Sequence, residues 1–277
     1  MQEKYKIILF SYISKIKFMT EDIKINIPNS QRDIKLSQWM KYSKILEKNK
    51  DAENNEFLNK KALEIFCDMD YKDIDKLPFS SFNGVIEHLS SIISAESELV
   101  QKFRLIGTDG VEVEFGFIPD LHKMSYGEYK DLEMYIFDEQ NMHKAMAVLY
   151  RPIKYKKGDR YLIHDYEGTE YLKDVMRDTP LDAALGAKGF FLSFSEKIRS
   201  LYDGLYTQTV TGGRGSQLRE SFGKKWGDYQ AIHALAQGDV TRIGEVTKIG
   251  IHQCMMWLEY EKEKNDLENK LLKQQSR

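Results

Sequence analysis

Histidines are the side chains of this chain best suited to proton transfer or metal binding: His88, His122, His143, His164, His233 and His252. None has the two-histidine helical spacing of a metalloprotease, and none stands beside a cysteine or serine in a recognisable nucleophile setting. His122 and His143 flank one predicted helix and could approach each other, and His164 precedes Asp165, which could orient its imidazole. No pair of carboxylates lies in an apolar surround that would separate their pKa values. The residues therefore predict a protein that is not an enzyme, with no catalytic, metal or cofactor site.

Two segments carry residues that bind ions or phosphates in other proteins. The acidic run 68–75 has Lys72 at the third ligand position of a calcium loop and lacks the glycine at the sixth, so a solvated connection between helices is favoured. Residues 207–225 contain Gly-Gly-Arg-Gly but lack the Lys-Ser/Thr of a phosphate-binding loop. We predict a flexible linker there, with Arg214 as a candidate partner-binding residue.

Composition excludes several classes of protein. The 277 residues include 41 basic and 43 acidic side chains, so a net charge of -2 provides no general attraction for nucleic acid or a membrane surface. Cys67 and Cys254 are predicted to be buried core residues in a reducing cytoplasm rather than a disulfide or zinc site. The apolar run within residues 1–18 is too short for a signal peptide. We expect either an ordinary helix or an extension that precedes a translation start at Met19.

A strand-to-helix unit recurs in the predicted fold. Residues 115–136 predict a strand end, an exit at Pro119, and a helix capped by Ser125 and Glu128 in a capping box. Residues 25–46 repeat this pattern, with a proline exit and a cap predicted at Ser37. The recurrence favours two similar small lobes.

Two further elements are predicted from local signals. Asp109-Gly110 between alternating segments predicts a β-hairpin with a type I′ turn. Thr179 and Pro180 predict the start of a helix whose early alanines and glycines allow close backbone approach. By contrast, the basic and aromatic residues 154–157 are predicted to form a plain surface turn.

The last helix is predicted to begin near Ile251 and to run almost to the end of the chain. Its candidate partner-binding residues recur three and four apart, as a short heptad seam: Trp257, Tyr260, Lys264, Leu267 and Leu271. Trp226, which opens the preceding helical unit, is a further candidate. Beyond Tyr260 the sequence is too polar to be packed on all sides, which leaves a docking arm and a frayed tail as alternatives.

These elements predict a mainly α chain with small β-hairpins, an α+β arrangement of helical-bundle lobes followed by a C-terminal helical segment. The expected organisation is an N-terminal extension at 1–18, a strand plus helical lobe at 19–102, a β-hairpin plus helical lobe at 103–206, a flexible linker at 207–225 and a C-terminal helical segment at 226–277.

Several segments together resemble a known group of proteins: residues 25–30 (INIPNS), 114–121 (EFGFIPDL), 124–132 (MSYGEYKDL), 142–153 (MHKAMAVLYRPI) and 257–265 (WLEYEKEKN). The chain resembles proteins of the virion-structure modules of tailed bacteriophages that infect Bacteroidetes, including crAss-like phages. Some of these are similar to tail assembly chaperones and others to connector or tail components. The resemblance carries no catalytic residue.

The resemblance implies a protein of the host cytoplasm, or of the virion, that binds other phage tail or virion proteins such as the tape measure protein. A homo-oligomer is also compatible with it. One hypothesis is a tail assembly chaperone, and a second is a stable structural subunit of a connector or tail ring. A third, a nucleic-acid-binding module, would use residues 154–157 and 214–225.

Overall fold

The computed structural model describes residues 14–18, 21–50, 55–107, 109–206 and 214–275. The strands in this part of the chain are β1 (Ser14–Phe18), β2 (Glu21–Ile25), β3 (Lys102–Ile106), β4 (Glu112–Phe117), β5 (Tyr150–Lys157) and β6 (Arg160–Ile163). The α-helices are α1 (Leu36–Lys48), α2 (Asn55–Phe66), α3 (Tyr71–Ile74), α4 (Phe79–Ile93), α5 (Tyr126–Tyr135), α6 (Met142–Leu149), α7 (Leu181–Leu201), α8 (Asp203–Tyr206), α9 (Arg214–Leu235), α10 (Ile243–Val246) and α11 (Ile251–Gln275). The prediction of a mainly α chain with small antiparallel strands is confirmed.

A four-stranded antiparallel meander, in the order β3-β4-β5-β6, forms the main sheet. The predicted hairpin is its first part, but the connection spans residues 107–111, and Gly110 N donates to Gly107 O. The type I′ turn centred on Asp109 and Gly110 is therefore wrong, because Ile106 pairs with Glu112 and Gly107 N donates to Val111 O, which leaves a connection longer than such a two-residue turn. The surface turn predicted at 154–157 is also wrong, because these residues complete β5, which pairs with β6.

Other local predictions differ from the structure near both ends of the chain. Residues 14–18 form a strand paired with β2 rather than a helix, and residues 1–13 lie outside the described residues. Residues 214–225, predicted as linker, belong to α9, while 207–213 lie outside the described residues. In the described part of the chain, no helix combines the length and apolar character needed to cross a membrane.

The recurring strand-to-helix unit is present twice. In each copy a strand leads through a 3₁₀ turn into a helix, from β2 to α1 and from β4 to α5. The Ser125–Glu128 capping box is confirmed, with Ser125 N donating to Glu128 Oε2 at 2.7 Å. The predicted cap at Ser37 is wrong, because α1 begins at Leu36 and Lys35 precedes it.

Each copy of the unit also pairs with the start of a later helix. Leu36 N donates to Thr179 O and Leu181 N to Ile34 O, which joins the starts of α1 and α7. In the same way, Tyr126 N donates to Ile249 O at 2.8 Å, which joins the starts of α5 and α11. These main-chain bridges fix the two long helices to the two units.

The described residues form two hydrophobic cores. The small core joins Ile25 and Ile34 to apolar faces of α2 and α4, and the large core lies between the sheet, α5, α6 and α7. Leu36 and Met40 of α1 and the first turn of α11 also enter the large core, so packing crosses the predicted boundary between lobes at residue 103. The burial predicted for Cys67 and Cys254 is confirmed.

The close backbone approach predicted for α7 occurs at Gly186. A Cβ atom there would overlap the carbonyl oxygen of Glu98, whereas a Cβ at Gly189 would meet nothing within 4 Å. We expect Gly186→Ala to lower the free energy of unfolding by about 1–3 kcal/mol, because the overlapping atom is backbone and must be displaced. Gly189→Ala should raise it by about 0.5–1 kcal/mol, since alanine favours an exposed helix interior. Urea denaturation of both variants tests this, and equal effects would contradict it.

Candidate interaction surface

The first three turns of α11 fix that helix to the rest of the protein. Ile251, Cys254 and Met255 are buried in the large core, and Leu258 packs against it. Lys262 Nζ donates to the carbonyl oxygen of Gly204 at the start of α8. From residue 263 to residue 275 every side chain is exposed. At 1.5 Å per residue, this half of α11 extends for about 20 Å.

The predicted heptad seam lies on the outer face of α11. An α-helix turns by about 100° per residue, which places Tyr260, Leu267 and Leu271 roughly half a turn away from the residues that face the core. These three side chains are 49 to 60% exposed. Trp257 is half-buried, and Lys264 lies 3.8 Å from Glu261 in an ion pair. An exposed apolar stripe on a fixed helix is typical of a protein-binding surface. The role of the seam residues in partner binding stays a prediction, and their exposure is compatible with it.

A second apolar stripe lies on α9. The end of this helix packs Ala231, Ile232 and Leu235 against the large core. On the opposite side, three aromatic residues are 40 to 56% exposed: Phe222, Trp226 and Tyr229. The Trp226 and Tyr229 rings are 5.8 Å apart, and Lys225 Nζ lies 5.0 Å from the Trp226 ring centre. Arg214 begins α9, and its side chain lies outside the described part.

This outer stripe of α9 was only partly found by sequence reasoning, which singled out Trp226 alone. The available signal was spacing, because residues 222, 226, 229 and 233 recur four, three and four apart. The glycines and hydroxyl residues of 207–216, with the basic residues up to 225, indicated a linker instead. In the described part of the chain, α9 and α11 therefore each carry an apolar stripe on the outer surface.

The histidines meet differently from the prediction. His122 contacts His252 rather than His143, with 2.8 Å between Nδ1 of His122 and Nε2 of His252. The Tyr202 hydroxyl lies 2.9 Å from Nδ1 of His252, and the His122 ring packs edge-on against Phe194 at 5.2 Å. Burial, and then the nearby His122, lower the pKa of His252. This chain of polar atoms fixes the base of α11 to the turn before α5.

A cavity of about 220 Å³ adjoins His122, with Phe117, Phe190, Phe194 and Lys197 in its wall. Among the described side chains that line this cavity, no histidine is hydrogen-bonded to a serine or a cysteine, because His122 contacts His252 instead. Among the residues that the structure describes, no group of three or more His, Cys, Asp or Glu side chains could hold a metal ion.

His143 lies in the core instead of near a cavity. Its side chain belongs to α6, is 3% exposed, and has no hydrogen-bond partner for Nδ1 in the described part of the molecule. Burial, and then the charge of Arg177, lower its pKa to about 4. A neutral imidazole in an apolar core indicates a structural residue.

Comparison of the chain with protein-family models, with curated proteins and with solved structures finds no match in any of the three. The assignment of a function therefore depends on the surface of the molecule and on the sequence resemblance.

Proposed function

We propose that this chain is a non-enzymatic bacteriophage tail or virion assembly protein, similar to a tail assembly chaperone and built from two helical lobes, that acts through protein–protein contacts. The observation that carries the proposal is the outer face of α11, where apolar side chains at heptad spacing face away from the core. The resemblance of residues 25–30, 114–132 and 142–153 to phage virion-module proteins supports the same class.

The proposed mechanism is temporary cover of apolar surface. The seam of α11 would pack against a helix of a tail component, such as the tape measure protein, until polymerisation of the tail displaces it. Lys264 interrupts the seam, and a lysine at such a position lowers the stability of a helix pair. A weakened seam suits a complex that must dissociate.

A second candidate is a stable structural subunit of the virion, in a head–tail connector or a tail ring. The specific observation in its favour is the presence of two outward apolar stripes, on α9 and α11, in one chain. A subunit of a closed ring needs two different faces that fit one another.

Quantitative mass spectrometry of purified phage particles discriminates these candidates. A chaperone should be absent or scarce in the particle, and a ring subunit should be present at a fixed ratio to the other virion proteins. Tagged protein isolated from infected cells should also carry identified tail or virion proteins. The proposal is wrong if neither the particle nor the isolated complexes connect this chain to a virion protein.

The variant Leu267→Glu/Leu271→Glu tests the role of the seam. We expect it to lose the captured virion proteins, because two carboxylates would enter the apolar interface. Its own free energy of unfolding should change by less than about 0.5 kcal/mol, since both residues lie on the surface. Leu272→Glu is the matched control, because Leu272 is exposed on another side of the same helix. Equal capture by all three proteins would contradict the assignment of the seam.

A further inference from the structure

The two outward stripes have the same spacing. On α11 the positions are 260, 264, 267 and 271, and on α9 they are 222, 226, 229 and 233, so both advance by four, three and four residues. Each stripe extends over about 16 Å at 1.5 Å per residue. Helices with this spacing pack side by side along their whole stripe, with the side chains of one between those of the other.

The edges of the two stripes carry opposite charge at one described position. With the stripes aligned, Lys225 of α9 falls beside Glu263 of α11 in a parallel pairing and beside Glu268 in an antiparallel pairing. Opposite charges at the edge of an interface attract each other and favour this pairing.

Lys264 is explained by the same pairing. It is the charged member of an otherwise apolar seam, and it lies opposite an aromatic position of α9 in either helix direction. A parallel alignment places it across from Trp226, and an antiparallel alignment places it across from Tyr229. A lysine over an aromatic ring is stabilised by the ring quadrupole, as Lys225 already is over Trp226.

The stripes cannot meet within one copy of the chain. α9 packs Ile232 and Leu235 inward, and α11 packs Ile251 and Met255 inward, against the same large core. Both stripes lie about half a helical turn from these inward faces, so each is directed away from the molecule.

We propose that the α11 stripe of one copy packs against the α9 stripe of a second copy, which gives a head-to-tail assembly of this chain. Such an interface joins two different faces. A chain of copies therefore has an unoccupied α9 stripe at one end and an unoccupied α11 stripe at the other. The assembly then closes into a ring or extends as a filament, depending on the rotation between neighbours. This inference rests on the second candidate of the proposed function, the ring subunit, in which a second copy rather than a tail component occupies the α11 stripe.

Complementation between two variants of the full chain tests the proposal. Leu267→Glu/Leu271→Glu removes the α11 stripe, and Trp226→Glu removes the α9 stripe. Analytical ultracentrifugation should find each variant alone to be monomeric, while wild type and Leu272→Glu grow in mass with concentration. An equimolar mixture of the two variants should form a dimer and nothing larger, because it retains one intact interface. Wild type that stays monomeric, or a mixture without dimer, would overturn the proposal.

Charge exchange provides an independent measurement. Lys225→Glu should weaken association by about two- to fivefold, the effect of one charge at the edge of an interface, and so should Glu263→Lys. The two exchanged charges can be brought together in one mixture. One protein carries Lys225→Glu with Leu267→Glu/Leu271→Glu, and the other carries Glu263→Lys with Trp226→Glu. Their mixture should recover part of the lost affinity. Added salt should weaken wild-type assembly as well. If the strength of association depends neither on these charge substitutions nor on the salt concentration, the proposed pairing is wrong.

The outcomes separate this inference from the proposed function. If the variants do not complement each other but virion proteins are still captured from infected cells, the inference is wrong and the assembly function remains. If they do complement each other but no virion protein is captured, the head-to-tail pairing is supported and the phage assignment is wrong.

Discussion

Arg151→Met should lower the free energy of unfolding by about 3–5 kcal/mol, the largest effect expected for a single substitution in this chain. Arg151 and Glu128 form an ion pair at 2.7 Å, and their side chains are only 9% and 8% exposed. Without the guanidinium, the Glu128 carboxylate would stay buried with no compensating charge. Urea denaturation at neutral pH measures the loss, and Arg104→Met is the control because Arg104 and Glu112 are 62% and 56% exposed. Arg104→Met should lower the free energy of unfolding by less than about 1 kcal/mol.

The double variant Glu128→Gln/Arg151→Met separates the pair from the shape of the site. The amide of glutamine keeps an oxygen that can accept from Ser125 N, so the start of α5 retains its cap. With both charges removed, the double variant should be more stable than Arg151→Met alone, because the penalty comes from one unpaired buried charge. If Arg151→Met costs as little as Arg104→Met, this account of the buried pair is wrong.

This pair also marks how far the sequence could predict the fold. The Ser125–Glu128 contact spans three residues, and local spacing was enough to find it. Arg151 follows Glu128 by 23 positions and reaches it only because β5 returns beside β4. The same return explains why residues 154–157 were predicted wrongly, since a charged edge hairpin has no apolar alternation to indicate a strand.

Helix ends show a similar division between local and distant causes. Ser37 has the residue type of a cap, but the main-chain pairing of Leu36 with Thr179 begins α1 at Leu36, two residues before the start that a cap at Ser37 would give. In α9, glycines and hydroxyl residues indicated a linker, whereas the packing of Ile232 and Leu235 on the large core stabilises a helix that continues back to Arg214. Tertiary contacts of this kind override local propensity.

The candidate surface was predictable in spacing but not in direction. The seam from Trp257 to Leu271 could be read from the sequence, because heptad spacing is a property of consecutive residues. The side of α11 that faces solvent depends on Ile251 and Met255 entering a core built mainly from residues 103–202. No local pattern contains that information.

The second large effect expected is a loss of stability in acid that depends on His143. Because burial lowers the pKa of His143 to about 4, against about 6.5 in an unfolded chain, the unfolded state binds the proton more tightly. The folded state therefore has the full contribution of His143 above pH 6.5, and loses it progressively as the pH falls toward 4. Between pH 7 and pH 4.5 this one residue should remove about 2.5 kcal/mol from the free energy of unfolding.

The variant His143→Leu isolates this contribution. Nδ1 of His143 has no hydrogen-bond partner in the described part of the molecule, so an apolar replacement leaves no new unpaired group. Urea denaturation at pH 7 and pH 4.5 should therefore give wild type a drop in stability that exceeds the drop of His143→Leu by about 2.5 kcal/mol. His164→Leu changes an exposed histidine and should keep the wild-type drop. The other titratable side chains are the same in wild type and His143→Leu, so the comparison between these two proteins cancels their contributions. Identical drops in wild type and His143→Leu would show that His143 is not the acid-sensitive group.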